Sequence, residues 1–315
     1  MNQMKAVLYN KKATPVKLSY AEIEKPVVKD SEVLIKIKAV SLNAADYRSM
    51  KMGLIPKNKI FGADIAGCVE SVGTNVTRFK PGDEVMGDLA GFGFGGLAEY
   101  VAVPEKAVII KPASISFEEA STLPMAATTA LQALRNKGRI KKGQKVLIVG
   151  CAGGVGSFAI QLAKYFESEV TGVCSSKNVQ QSYSLGADLV IDYSKENFAK
   201  SGKHYHLILG INGNYPLLSY RKCLAPGGIY VMVGGSLSQI AKSLLFGRVF
   251  SFGSKKMRSV AAKSTKEDLE LLANLLENGK IKPIIERRYT LDQAAEAMNY
   301  LSQGHSSGKV VINIS

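Results

Sequence analysis

The sequence predicts an α/β plus β protein: a β-rich part of barrel or sandwich type and a part with a parallel sheet covered by helices. Three observations predict it. The first third carries short, partly alternating apolar runs broken by Gly and Pro turns. The middle alternates apolar strands with helices, the rhythm of a parallel sheet covered on both faces. The end returns to capped helices and one closing strand. These changes of pattern divide the chain into residues 1–122, 123–263 and 264–315.

Each element has its own signal. Residues 33–40 (VLIKIKAV) alternate, with Ile35 and Ile37 inward and Lys36 and Lys38 outward. Residues 62–72 form a second such run, followed by the turn signals Gly73-Thr74-Asn75 and Lys80-Pro81-Gly82-Asp83. Ser116 and Glu119 have the spacing of a capping box at a helix start. Residues 145–149 (KVLIV) read as a buried strand, and 155–166 as a helix with Phe158, Leu162 and Phe166 on one face. Strands are expected at 169–174, 188–191, 206–211 and 229–233, with a short helix at 179–185. Ser264 and Glu267 predict another cap, before a stripe of Leu269, Leu272, Ala273 and Leu276 that ends at Gly279. Thr290 and Gln293 cap a helix over 291–301, and residues 309–314 (KVVINI) close as a strand.

Composition narrows the function. The 315 residues suffice for two domains, and 46% hydrophobic with 21% charged residues is ordinary for a globular chain. No run approaches the ~18 apolar residues of a spanning helix, and the first fifteen residues lack a signal peptide's apolar centre. A cytoplasmic protein without an integral membrane segment is the expectation. Cys68, Cys151, Cys174 and Cys223 have neither disulfide-framework nor zinc-cluster spacing and read as reduced, apolar thiols. The formal net charge is +15, but the basic residues are dispersed and their short runs at 135–145 and 255–263 match no nucleic-acid motif. A solvated basic surface, with no specific nucleic acid, is expected. His204 and His206 flank Tyr205 and read as the solvated start of a strand.

The chemistry-bearing motif is Gly150-Cys151-Ala152-Gly153-Gly154-Val155-Gly156, set between the strand KVLIV and a helix. A glycine turn lets backbone approach a pyrophosphate, which the helix N-terminus attracts through free N–H groups and its dipole. Gly153, Gly154 and Val155 are thus cofactor-binding candidates, and Gly156 allows close helix–strand packing. The next strand ends Cys174-Ser175-Ser176-Lys177 with no carboxylate for a ribose 2′-hydroxyl. Two hydroxyls and a cation suit a 2′-phosphate, so Ser175, Ser176 and Lys177 point to NADPH. Gly234 and Gly235 follow another strand at the carboxyl edge of the sheet and join the set.

At these residues the chain resembles the medium-chain dehydrogenase/reductase family, in its zinc-independent quinone oxidoreductase and alkenal reductase branch. The resemblance rests on residues 62–87, 123–134, 150–164 (GCAGGVGSFAIQLAK), 185–193 (LGADLVIDY) and 304–312, in order along the chain. It implies a GroES-like barrel catalytic domain with an inserted Rossmann domain, and a homodimer. It places Thr129 near the nicotinamide or its phosphate, and Tyr193 beside the adenosine. The zinc-dependent members hold a metal at positions that fall here on Asn43, Ala63 and Met125. Ala63 cannot ligate, so no metal is expected.

Without a Lewis acid, the accessible substrates are quinones and α,β-unsaturated carbonyls, in which the hydride's charge spreads onto oxygen. Asn43 and Tyr47 are expected to line the substrate cleft, with Tyr47 giving a proton to the enolate or quinone oxygen. Asp46 and Asp64 are expected to be mainly structural. The related enoyl reductases carry a tyrosine a few residues further on, where this chain has Gly53-Leu54; that weakens an enoyl-thioester reading. The alternative is an NADPH-binding sensor or binding protein with little catalysis.

Overall fold

The computed structural model describes residues 3–13, 16–213, 215–235, 251 and 253–315. It divides into two compact units: Met1–Met125 with Ser264–Ser315, and Ala126–Lys263.

The first unit is β-rich. A hairpin pairs β1 (Gln3–Tyr9) with β2 (Leu18–Glu24). The central strand is β3 (Glu32–Leu42), in which Lys36 and Lys38 are half-exposed while Ile35 and Ile37 are fully buried. It is followed by a helix, α1 (Ala44–Lys51), then β4 (Asp64–Val72), β5 (Glu84–Asp88), β6 (Tyr100–Pro104) and β7 (Val108–Ile110). The helix α2 (Phe117–Thr122) packs on β3 and β4 and starts at the Ser116/Glu119 capping box. Two strands from the far end of the chain complete the sheet. They are β14 (Ile285–Thr290) and β15 (Lys309–Asn313), in the order β14-β15-β3-β4-β5-β7, with β6 also on β3. Phe61, Ile65, Leu97 and Val310 are among the residues of its core.

Among its described residues the second unit holds six parallel strands: β8 (Lys145–Val149), β9 (Glu169–Cys174), β10 (Leu189–Asp192), β11 (Tyr205–Gly210), β12 (Leu224–Met232) and β13 (Lys256–Ser259). Their order is β10-β9-β8-β11-β12-β13, that is 3-2-1-4-5-6, a doubly wound sheet whose direction of winding reverses between β8 and β11. The strand β8 is apolar from Val146 on because both faces are covered. The helices among the unit's described residues include α3 (Thr128–Gln132), α4 (Gly154–Tyr165), α5 (Val179–Ser184) and α6 (Leu217–Lys222). In its core Tyr220 stacks on Phe198, with ring centres 5.6 Å apart, and packs at a tilt on Tyr230 of β12 at 4.6 Å. The chain is thus a mixed β-sheet unit, the GroES-like part expected above, interrupted in sequence by a doubly wound parallel-sheet unit, the Rossmann part.

The helix after the insertion, α7 (Lys266–Glu277), corrects one expectation. Its cap is Thr265, whose side chain accepts from Asp268 N, not Ser264 with Glu267. Ser264 is turned elsewhere: its Oγ lies 2.8 Å from Asp88 Oδ2 and 3.0 Å from the carbonyl of Pro124. The last helix, α8 (Ala294–Ser302), follows the Thr290/Gln293 box by way of a short 3-10 turn. At the strand start, His206 is a hydrogen-bond acceptor: its Nδ1 receives Lys145 N at 3.0 Å. Lys255 reaches back to the carbonyl of Arg221 at the end of α6.

Candidate active site

In the Rossmann unit the glycine turn is built by close backbone contact. Gly150 has φ +86°, a conformation that disfavours side chains, and a Cβ there would meet Asn212 N at 2.7 Å. Gly150 N and Cys151 N both donate to the carbonyl of Val173, tying the turn to β9. A Cβ on Gly156 would lie 2.2 Å from the carbonyl oxygen of Gly150, so the helix start needs hydrogen there. Gly153 is the N-cap of α4, and no side chain caps it. Twelve residues of helix thus present an uncapped amino end, flanked by half-buried Gly153, Gly154 and Val155. That end fits a pyrophosphate. Beneath the turn, Cys151 Sγ is 3.3 Å and Cys174 Sγ 3.5 Å from the same hydroxyl, Ser182 Oγ. The two thiols are therefore hydrogen-bonding groups and not merely apolar filler. The Cys151 side chain, donating to Cys174, brings the latter's pKa down to about 7.

Ser175, Ser176, Lys177 and Tyr193 gather at the carboxyl ends of β9 and β10, because Asp192 pairs with Cys174 and Tyr193 N donates to the Cys174 carbonyl. Tyr193 is exposed, as are Ser176 and Lys177. One expectation is corrected here. The end of β9 has no carboxylate of its own, but its neighbour β10 supplies Asp192. That carboxylate accepts from Ser176 Oγ at 2.5 Å and from Ser194 N and Oγ at 3.0 and 2.7 Å. The hydroxyls of Ser176 and Ser194 hold it below the ordinary carboxylate range, so it is an anion. Sheet register, which brings residues 18 apart in sequence side by side, made it invisible to a reading along β9 alone. Gly234 and Gly235 follow β12. A Cβ on Gly234 would meet the carbonyl of Ile211 at 2.7 Å, and Gly235 has φ +130°. Thr129 is half-buried on α3, which packs against α4.

In the GroES-like unit the polar cluster is buried. Asp46 lies in the first turn of α1 and is fully buried; its carboxylate accepts from Asn43 N at 2.7 Å and Gly62 N at 3.1 Å. Burial raises its pKa from 3.8 to about 6, against the pull of those two N–H groups. Asn43, just before α1, is also buried. Its Nδ2 donates to Asp64 Oδ2 at 2.8 Å and to the Ser41 carbonyl at 3.2 Å, and its Oδ1 accepts from Lys309 Nζ at 2.7 Å. Lys309 opens β15, is 3% exposed, and its ammonium is 3.7 Å from Asp64 Oδ2. Asp64 Oδ2 also accepts from Met125 N at 3.1 Å, while its Oδ1 is buried without a hydrogen bond. Asp88, paired with Asp64 across β4 and β5, takes the hydroxyl of Ser264. Three carboxylates thus surround one ammonium. Burial pushes Asp64 well above the usual carboxylate range and Lys309 below the usual ammonium range, and the attraction between them opposes both shifts.

This cluster does not fit a metal. Ala63 is fully buried and presents a methyl group. The carboxamide of Asn43 is committed on both amide protons and on its oxygen. An ammonium, which repels a cation, fills the middle. The commitment of Asn43 also changes the role expected for it: no amide proton remains for a substrate oxygen. Tyr47 is different. It stands four residues on, partly buried against the core, with Lys51 Nζ 5.4 Å and the Arg48 guanidinium 5.8 Å from its ring centre. Sequence reasoning missed Lys309, Asp88 and Ser264. A lysine opening an apolar strand reads as a solvated strand end, and nothing local says otherwise.

Residues 29–113 match the family described as alcohol dehydrogenase GroES-like domain, and residues 185–312 the family described as zinc-binding dehydrogenase. The chain is 37% identical over 302 residues to the 2-methylene-furan-3-one reductase of Solanum lycopersicum, covering 91% of this chain and 73% of that one. It is 34% identical over 301 residues to the chloroplastic NADPH-dependent alkenal/one oxidoreductase of Arabidopsis thaliana, covering 91% and 73%. The solved quinone oxidoreductase from Coxiella burnetii superposes with a TM-score of 0.89 at 30% identity, over 99% of this chain and 100% of that one. The chain therefore belongs to the medium-chain dehydrogenase/reductase family, in its quinone oxidoreductase branch, and is an oxidoreductase that uses a nicotinamide cofactor.

Proposed function

We propose that this protein uses NADPH to reduce quinones or α,β-unsaturated carbonyl compounds without a metal, as a cytoplasmic homodimer. The observation that carries the reading is the Asn43–Asp64–Lys309 network at the family's metal position. With an ammonium and a fully committed carboxamide where a metal would sit, no Lewis acid polarises an isolated carbonyl, so the substrate has to bring its own electron sink. Conjugated acceptors do so, because charge arriving at the β-carbon or the quinone ring is delocalised onto oxygen. Bound NADPH supplies the hydride. Tyr47 then gives the phenolic proton to that oxygen, and Arg48 and Lys51 add positive field at the same end of α1. Among the described residues no helix is long and apolar enough to cross a membrane.

The cofactor is held through the uncapped amino end of α4, with Gly153, Gly154 and Val155 at the pyrophosphate and Gly234 and Gly235 at the sheet edge. Thr129 meets the nicotinamide half. Ser175, Lys177 and Tyr193 meet the 2′-phosphate and adenosine, while Ser176 is held by Asp192. The preference for NADPH rests on Lys177 and is opposed by Asp192, whose acceptor positions the two serines occupy. The test is loss of NADPH absorbance with metal-analysed protein, against a quinone and a short 2-alkenal in parallel, with NADH as control. Turnover with one acceptor, poor use of NADH and substoichiometric zinc are expected. Tyr47→Phe should lower kcat by about a hundredfold, the usual size of a lost proton donor. A Tyr47→Phe enzyme at full rate would remove that residue from the mechanism. Tight NADPH binding without turnover of either acceptor would leave a binding protein.

A further inference from the structure

We propose that Lys309 is a positioning residue for the reduction, its buried ammonium fixing Asn43 and, through it, the start of the helix that carries Tyr47. The inference rests on the reduction and on Tyr47 as its proton donor.

The geometry is specific. A lysine is almost never fully buried unless something holds its charge, and a buried ion pair on its own is poor value for stability. Lys309 is buried, and what it touches is the carboxamide oxygen of Asn43. That contact and Asp64 orient the carboxamide from both ends: ammonium on the oxygen, carboxylate on the nitrogen. Asn43 is the residue immediately before α1, and its backbone N–H is gripped by Asp46. The start of α1 is thus clamped at the side chain through Lys309 and at the backbone through Asp46. Tyr47 lies one helical turn further on, so the clamp sets the height and rotation of its phenol. The strand partners are remote in sequence. Val310 pairs with Leu42 and Ser41 with Asp64, which brings the start of β15 and the start of β4 to the two sides of Asn43. The same ammonium offsets the negative charge of Asp46, Asp64 and Asp88, which would otherwise oppose charge building up on a substrate oxygen held by Tyr47.

The experiment uses the full chain and four variants. Lys309→Arg keeps the charge, Lys309→Gln keeps a donor to Asn43 but removes the charge, Lys309→Met with Asp64→Asn removes the buried pair together, and Tyr47→Phe removes the donor. For Lys309→Gln and the double variant, kcat should fall by about tenfold to a hundredfold, the range for a displaced catalytic group, with KM for NADPH unchanged. Lys309→Arg should stay within about threefold of the parent. Adding Tyr47→Phe to Lys309→Gln should cost little more, because both act at one step. Wild-type kcat in a folded double variant, or equal losses in Lys309→Arg and Lys309→Gln, would overturn the inference. Hydrogen exchange is the arm that needs no turnover. Lys309→Gln should speed exchange in α1 while β3 and β4 keep their protection, and unchanged exchange in α1 overturns the proposal even if no acceptor is reduced. Failure of the proposed reduction reads differently: the parent enzyme would then be inactive with every acceptor, while α1 still responded to Lys309→Gln.

Discussion

At the scale of single residues, the fully buried Asp46 carries a consequence for pH. Burial raises its pKa from 3.8 to about 6, so between those values the folded protein holds a proton that the unfolded chain releases. The stabilisation is fully present below the unfolded value and is lost as pH rises through about 6. Its size follows from the shift: roughly two pH units at ~1.4 kcal/mol each is about 3 kcal/mol. Asp46→Asn abolishes the titration and sets an amide N–H against either Asn43 N or Gly62 N, which at pH 7 should cost about 1–3 kcal/mol. Urea midpoints at pH 7 and pH 4.5 check both points. The gap between parent and variant should widen on acidification; a gap that stays constant would mean that Asp46 titrates normally. The sequence named Asp46 as structural, and it named Asn43 and Tyr47. It could not say that Asn43 turns inward, because that depends on a lysine 266 positions away.

At the scale of elements, periodicity was informative and caps were informative to within one residue. The strands β3, β8 and β9 and the helix α4 follow their apolar patterns, since alternation or unbroken apolarity reports which faces are covered. The cap of α7 was displaced by one because Ser264 and Thr265 both satisfy the local rule. Only the tertiary partners Asp88 and Pro124 decide that Ser264 leaves the helix to Thr265. Thr265→Ala should therefore cost about 1 kcal/mol of stability through the lost cap. Ser264→Ala should instead leave α7 intact and free the Asp88 carboxylate. Hydrogen exchange across 266–277 separates the two: faster exchange in Ser264→Ala than in Thr265→Ala would reverse the assignment. The helix α1 was not legible at all, since its eight residues are mostly polar and its order comes from the buried carboxylate at its first turn.

At the scale of the whole molecule, the chain carries a formal net charge of +15, and the cofactor proposed for it is a polyanion. A dispersed positive field and an uncapped helix end both favour anion binding, and salt screens the first much more than the second. NADPH should raise the unfolding temperature, as any ligand of the folded state does, by the equivalent of ~2.7 kcal/mol at a hundred times its Kd. At a fixed NADPH concentration the shift should shrink between low and high salt but not vanish. Calorimetry or dye-monitored melting checks it; a shift independent of salt would assign binding to local contacts alone.

The sequence by itself determined the two-part architecture and the cofactor turn, because both are written in local pattern: alternation, capping residues and glycines between a strand and a helix. It also determined that Ala63 cannot hold a metal, since a methyl group has no lone pair. Tertiary structure alone decided what fills that position. Lys309, Asp64 and Asn43 meet only because β15 and β4 flank β3 in the same sheet. It likewise decided that Asp192 stands beside Ser176, through the pairing of β10 with β9. Charges at such positions act over a few ångströms of space and leave no periodic trace along the chain.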